Sequence, residues 1–176
     1  APPRQDVVRA LAWMREAADL GDTDSVNQAG VWLYDGFAAK PDAAAAFQYF
    51  ERCALRGWTQ CLVNAAYALR AGGGTKRDVH RAQALYETAA SQGSTTAGNL
   101  LARMLIEEHA LPRDDAAVRR WLMHGIERKD AQAWTTLAEL TRDGRAGVAK
   151  EPVEARKLFE KAAQMGSRRA QARVCE

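Results

Sequence analysis

Cys53 and Cys61 stand eight residues apart and are the side chains in this sequence whose type and spacing most readily do chemistry. Such a pair can close a disulfide, take part in a metal site or sit reduced in a core as two small apolar residues. A metal needs further ligands, and the histidines do not supply them. His80, His109 and His124 stand at no ligand spacing from a cysteine or from one another, so all three read as solvated surface residues. The run Gly72-Gly73-Gly74-Thr75-Lys76 has the composition of a phosphate cradle. It lacks the Gly-Lys-Ser/Thr order and follows a helical segment instead of a strand, so it reads as a flexible connection. No Ser-x-x-Lys or Gly-x-Ser-x-Gly nucleophile pattern occurs. We therefore expect no catalytic residue, no metal and no cofactor, and a protein that binds instead of turning over a substrate.

The elements that must position the cysteines follow from a repeat. Gly21, Gly57 and Gly93 are spaced by 36 residues, and Lys129 and Gly166 continue the series at 36 and 37. Ahead of each runs one template: a large apolar pair, two residues, two small residues, two more, then the turn. The copies are WMREAADLG, YFERCALRG, LYETAASQG, WLMHGIERK and LFEKAAQMG. A fixed period of this length signifies stacked helical hairpins. The predicted fold is all-α, a solenoid of five hairpins at approximately 5–36, 42–72, 78–108, 114–144 and 152–176, forming one domain. The outer helices are predicted over 5–20, 42–56, 78–92, 114–127 and 152–165, and the inner helices over 23–35, 59–71, 95–108, 130–142 and 167–175. Ala10, Ala46, Ala82, Val118 and Ala155 sit three residues before each large pair and complete an i, i+3, i+4, i+7 stripe. The turn glycines suit a left-handed helix end, as do Gly36, Gly72 and Gly144 after the inner helices, with Glu108 the exception. Asp42, Asp78 and Asp114 are placed to cap the next outer helices, and Pro152 suits a first helical position.

In this register Cys53/Cys61 correspond to Ala17/Ser25, Ala89/Ala97, Gly125/Ala133 and Ala162/Ala170. Two small residues in every other copy mark where the helices of a hairpin come closest. Two cysteines at that point stand within bonding range, and the pair reads either as a disulfide or as two buried thiols. Cys175 falls on a small-residue register and reads as a packing residue. Trp13, Trp32, Trp121 and Trp134 occupy registers that pack between helices. Trp58 replaces the polar residue that follows the turn in other copies (Asp22, Ser94, Asp130, Ser167), which marks it as an exposed contact candidate on a hairpin edge.

Composition narrows the partners. Of 176 residues, 47% are apolar, enough for one continuous core. The net charge is +3, and residues 150–176, with seven Lys/Arg against four Glu, account for all of it. No basic stripe runs along the rest, so nucleic acid is not an expected partner. No apolar run approaches the roughly 20 residues that span a bilayer, so membrane insertion is not expected either. No signal peptide is read, and Ala1-Pro2-Pro3 is compatible with a cleaved one. The last inner helix runs into the chain end without a polar helix after it, which admits truncation, self-association or a docked partner.

These copies resemble the Sel-1-like repeat family, a relative of the tetratricopeptide repeat. Ala155-x-x-Leu158-Phe159-x-Lys161-Ala162-Ala163-x-x-Gly166 is similar to the first half of that family's pattern, and Ser25-x-x-x-Ala29-Gly30-x-Trp32-Leu33-x-x-Gly36 to the second. The fourth copy departs, with His124-Gly125-Ile126 in place of Lys-Ala-Ala and Lys129 in place of the turn glycine. The resemblance implies a right-handed superhelix whose inner helices line a concave face that binds proteins or peptides. Carried onto this sequence it assigns that face to Asn27, Tyr34, Tyr67, Arg70, Asn99, Arg103, Glu139 and Arg142. Tyr and Arg are favoured hot-spot types, and the asparagines suit an extended peptide backbone. The Cys-x7-Cys spacing also looks like the bridge of cysteine-rich Hcp-like members, which are exported. A disulfide would point to the periplasm or the exterior. The expected role is a protein- or peptide-binding module, either an envelope or secretion adaptor or the neutralising partner of a secreted toxin. The same resemblance leaves a second role open, binding or hydrolysis of cell-wall fragments or β-lactams.

Overall fold

Alanine-rich faces separated by turn glycines dictate a series of short helices. The computed structural model describes residues 4–37 and 40–174. Among these residues there are ten helices and no strand. Two compact units divide the chain, Ala1–Ala89 and Ala90–Glu176. In the first lie α1 (Arg4–Asp19), α2 (Thr23–Asp35), α3 (Ala43–Ala54), α4 (Thr59–Ala71) and most of α5 (Val79–Ser91). There α1 packs on α2, α2 on α3 and α3 on α4. The second holds α6 (Thr95–Glu107), α7 (Asp115–Glu127), α8 (Ala131–Asp143), α9 (Pro152–Gln164) and α10 (Arg168–Val174). Here α6 meets both α7 and α8, α8 meets α7 and α9, and α10 closes on α9. Each helix bound lies within two residues of the sequence expectation.

Local chemistry sets the ends. The carboxylates of Asp42, Asp78 and Asp114 accept from the backbone N–H three residues on, at 2.9, 2.9 and 2.8 Å. Each satisfies one of the donors that a helix start leaves open. Asp22, Ser94, Asp130 and Ser167 do the same for α2, α6, α8 and α10. Only α4 among the inner helices starts on a residue without a side-chain cap, Trp58. The outer-helix turns pass through Gly21, Gly57, Gly93 and Gly166 at φ of 97°, 79°, 96° and 92°, the left-handed region. Lys129 occupies the same place in the fourth copy and also takes a positive φ, 59°. The turn geometry therefore survives the loss of glycine, at the steric cost that a Cβ brings there.

The core follows the template. The second residue of each large pair is buried in four copies, as Phe50, Tyr86, Leu122 and Phe159. The small residues allow close approach: a Cβ on Gly125 would come within 2.7 Å of the Ala133 Cβ. Trp13 departs from the packing expectation, being 69% exposed on α1. Its counterparts Tyr49, Leu85, Trp121 and Leu158 are half-buried. The glycine run after α4 is structural: a Cβ on Gly74 would strike the Ala43 carbonyl, so the run lets the loop lie on the start of α3.

Candidate functional site

In the first unit, the small-residue register brings α3 and α4 together and Cys53 is bonded to Cys61, with Cα atoms 5.6 Å apart. Both cysteines are buried. The reduced-thiol reading is thereby replaced by the disulfide. Cys175 lies outside the described residues. Trp58 begins α4 beside this bridge and is half-buried instead of exposed. It lines an open cleft of about 520 Å³ with Thr23, Asp24, Asn27 and Gln60.

Along α2 and α4, Tyr34 and Tyr67 meet edge to face with ring centroids 6.2 Å apart. Tyr67 is half exposed, while Tyr34 is tucked against Gly73, where a Cβ would come within 3.2 Å of the Tyr34 hydroxyl. Burial raises the Tyr34 phenol above its ordinary value. Asn27 is turned sideways: its carbonyl oxygen accepts from the Asn64 amide at 2.8 Å, across neighbouring inner helices. Arg70, in the last turn of α4, is half-buried, and its carbonyl accepts from Arg77 Nε at 3.0 Å.

The inner helices of the second unit build a more defined site. A cleft of about 160 Å³ is lined from α6 by Arg103, Ile106 and Glu107 and from α8 by Glu139 and Arg142. Asp143, Arg145, Arg169 and Arg173 complete its charged wall. The pairing is specific. Arg103 bonds Glu107 at 3.4 Å, one turn along α6. Arg169 reaches from α10 to Glu139 at 2.8 Å. Arg142 holds Asp143 through two nearly parallel bonds, 2.8 and 3.2 Å. That fork, with Arg145 and Lys150 nearby, keeps the Asp143 carboxyl below its ordinary value. Arg145 donates to the Ile106 carbonyl at 3.3 Å, at the end of α6.

Three of the four residues assigned to the concave face in this unit, Arg103, Glu139 and Arg142, thus converge on one cleft. Asn99 does not join them. It is 8% exposed, and its side-chain oxygen accepts from Thr136 Oγ1 at 2.8 Å inside the stack. A peptide backbone has no access to that oxygen. Arg145 and Arg173 were not singled out by register. Arg145 follows the C-cap glycine of α8, and only the path of that loop returns it to α6. His124 is likewise not a solvated surface residue. Its ring stands edge-on to Trp121, next to the Arg128 guanidinium, with Nδ1 buried. Among the described residues, no group of three or more His, Cys, Asp or Glu is arranged to hold a metal. No helix among them is long and apolar enough to cross a membrane.

The model of the Sel1 repeat matches residues 2–22, 23–58, 59–94 and 137–167. The degenerate fourth copy falls in the gap. No curated protein matches the sequence. Among solved structures, a protective antigen present in uropathogenic Escherichia coli strains, displaying an SLR fold, superposes on 95% of this chain with a TM-score of 0.82 and 26% identity. A Sel1 repeat protein from Oxalobacter formigenes superposes on 88% with a TM-score of 0.77 and 21% identity. Helicobacter pylori cysteine rich protein B superposes on 72% with a TM-score of 0.54 and 16% identity, over 95% of its own length. The chain spans 36% of the Escherichia coli protein and 63% of the Oxalobacter one. The all-α solenoid of helical hairpins is common to all three.

Proposed function

Because this chain belongs to the Sel1 repeat family, we propose that it is a non-enzymatic protein- or peptide-binding module that works outside the cytoplasm. The family scaffold is typical of protein-interaction modules. The observation that carries the reading is the convergence of Arg103, Glu139 and Arg142 on the cleft between α6, α8 and α10. Residues that hold the solenoid together have no need to form a charged recess. Side chains that choose a partner do. The buried Cys53–Cys61 bridge supports an oxidising compartment, the periplasm or the exterior. The Escherichia coli neighbour is a protective antigen, which accords with a place reachable from outside. An adaptor in an envelope or secretion assembly and a neutralising partner of a secreted toxin would both use such a recess.

A peptide library displayed on phage tests the reading. Selection on the folded chain is expected to enrich sequences whose binding is lost in the double variant Arg103→Glu, Arg142→Glu and kept in Arg15→Glu, an exposed change on α1. No enrichment, or enrichment indifferent to the double variant, would remove the cleft from the function. The compartment is tested separately, by alkylating native material before reduction. Mass spectrometry should find Cys53 and Cys61 unmodified, and two alkylated thiols would sink the export reading.

A further inference from the structure

We propose that the cleft between the starts of α2 and α4 binds a neutral saccharide, with the Trp58 indole stacked on a pyranose face and Asp24, Asn27 and Gln60 bonding its hydroxyls. This site goes beyond the interaction reading above, and its residues belong to the first unit alone. Trp58 stands where the other copies carry Asp22, Ser94, Asp130 and Ser167, each of which accepts a backbone N–H of the helix it precedes. Trp58 supplies no such cap. A capping side chain would stabilise α4, so the fold does not call for an indole at this point. The ring instead lines an open cleft of about 520 Å³, a size ordinary for small-molecule sites. The wall that carries it is held in place. The Cys53–Cys61 bridge, eight residues in separation, closes the span that contains Trp58 and Gln60. Asn64 donates to the Asn27 carboxamide oxygen at 2.8 Å and fixes that side chain from α4. Such preorganisation lowers the cost of ordering a binding site.

The lining selects the ligand by charge and by shape. No Lys, Arg or His is among the described lining residues, so an anion would meet the Asp24 carboxylate and no cation. Asp24 lies in the first turn of α2, where the positive end of the helix offsets part of its charge and leaves little to attract a cation. A neutral ligand remains. Asp24 offers acceptors, the Asn27 amide nitrogen a donor, and Gln60 and Thr23 groups of both kinds. A sugar hydroxyl donates and accepts at once and suits that mixture. Trp58 is the one large apolar side chain among the described lining residues. Its flat ring, with a negative face, matches the slightly positive C–H groups on one side of a pyranose. A lipid would need more apolar wall than one ring. An extended peptide draws its specificity from pockets for successive side chains, and one indole among polar groups provides none.

Isothermal titration calorimetry of the folded chain with maltotriose, cellotriose and mannotriose tests this, with glucuronate and tetramethylammonium as charged controls. At least one trisaccharide is expected to bind saturably, with a Kd of about 1 mM or tighter. Trp58→Ser restores a residue type that other copies carry at this point, and it should lower that affinity at least tenfold in a protein that circular dichroism shows to be folded. If Trp58→Ser unfolds, Asp24→Ala with Gln60→Ala, at two exposed positions, carries the same expectation. No saturable binding of any of the three sugars, tighter binding of glucuronate or tetramethylammonium, or an unchanged affinity in the variants would each overturn the proposal. Phage-selected peptides that depend on Trp58, with no sugar bound, would assign the cleft to a polypeptide and overturn it as well.

Discussion

A repeat register tells which residues are equivalent and not which ones touch, and the asparagines illustrate the difference. Asn27 meets Asn64, and Asn99 meets Thr136, each pair 37 apart, one residue beyond the repeat. The contact runs diagonally between neighbouring inner helices, so a position projected toward the groove can instead be spent on the stack. Tyr86 shows the opposite case, a core position that the register located correctly. Its counterparts are Phe50 and Phe159, and its ring is fully buried. Among the described residues its hydroxyl has no hydrogen-bond partner, which no sequence pattern could have told. Tyr86→Phe removes that unsatisfied group and is expected to stabilise the protein by about 1 kcal/mol. The melting temperature should rise by about 2–4 °C, and a fall would mean that the hydroxyl is bonded. The same residue gives a pH dependence. Burial holds the phenol above the ordinary value of 10.0, so the folded protein keeps a proton that the unfolded chain loses. Its contribution is complete below pH 10 and declines as pH rises beyond it. Alkaline titrations of unfolding should show a shallower decline in Tyr86→Phe than in the parent above about pH 10.

At the level of helices and turns the sequence was most informative, because ends are set by local chemistry. Aspartates at 42, 78 and 114 and glycines at 21, 57, 93 and 166 act through bonds and dihedral angles within a few residues. The two exceptions are equally local. Trp58 supplies no side-chain cap to α4 and lines the adjoining cleft instead. Lys129 adopts φ of 59° where the other copies have glycine. A left-handed residue with a Cβ costs roughly 1–2 kcal/mol, part of which a glycine gives back through its freer unfolded chain. Lys129→Gly should therefore stabilise the α7–α8 hairpin by about 0.5–1 kcal/mol. A higher denaturant midpoint with an unchanged slope is the expected result. A lower one would show that the lysine side chain contributes more than its backbone costs.

Over the whole chain, the period announced the hairpins, and the composition located the charge excess in the last 27 residues. Neither could place Arg145, because a loop residue is positioned by the path between helices and not by the repeat. Nor could the period say how the chain divides, and the division bears on function. The disulfide belongs to the unit Ala1–Ala89 and the arginine cleft to Ala90–Glu176. In repeat proteins stability is close to a sum over hairpins and their nearest neighbours, so a change in one hairpin is felt mainly beside it. The double variant Cys53→Ala, Cys61→Ala tests that separation. Alanine already stands at both positions in the third and fifth copies, so the hairpin can form without the bridge. Losing so short a loop closure should cost about 2–3 kcal/mol in the first unit. Affinity of the cleft for the peptides selected on phage should stay within about twofold, since the cleft and the bridge belong to different units. Measured side by side, a lower melting temperature with unchanged binding means that the cysteines serve stability and the arginines serve recognition. A matching loss of affinity would mean that the bridge also shapes the cleft, and the two roles would then have to be assigned to the chain as a single cooperative body.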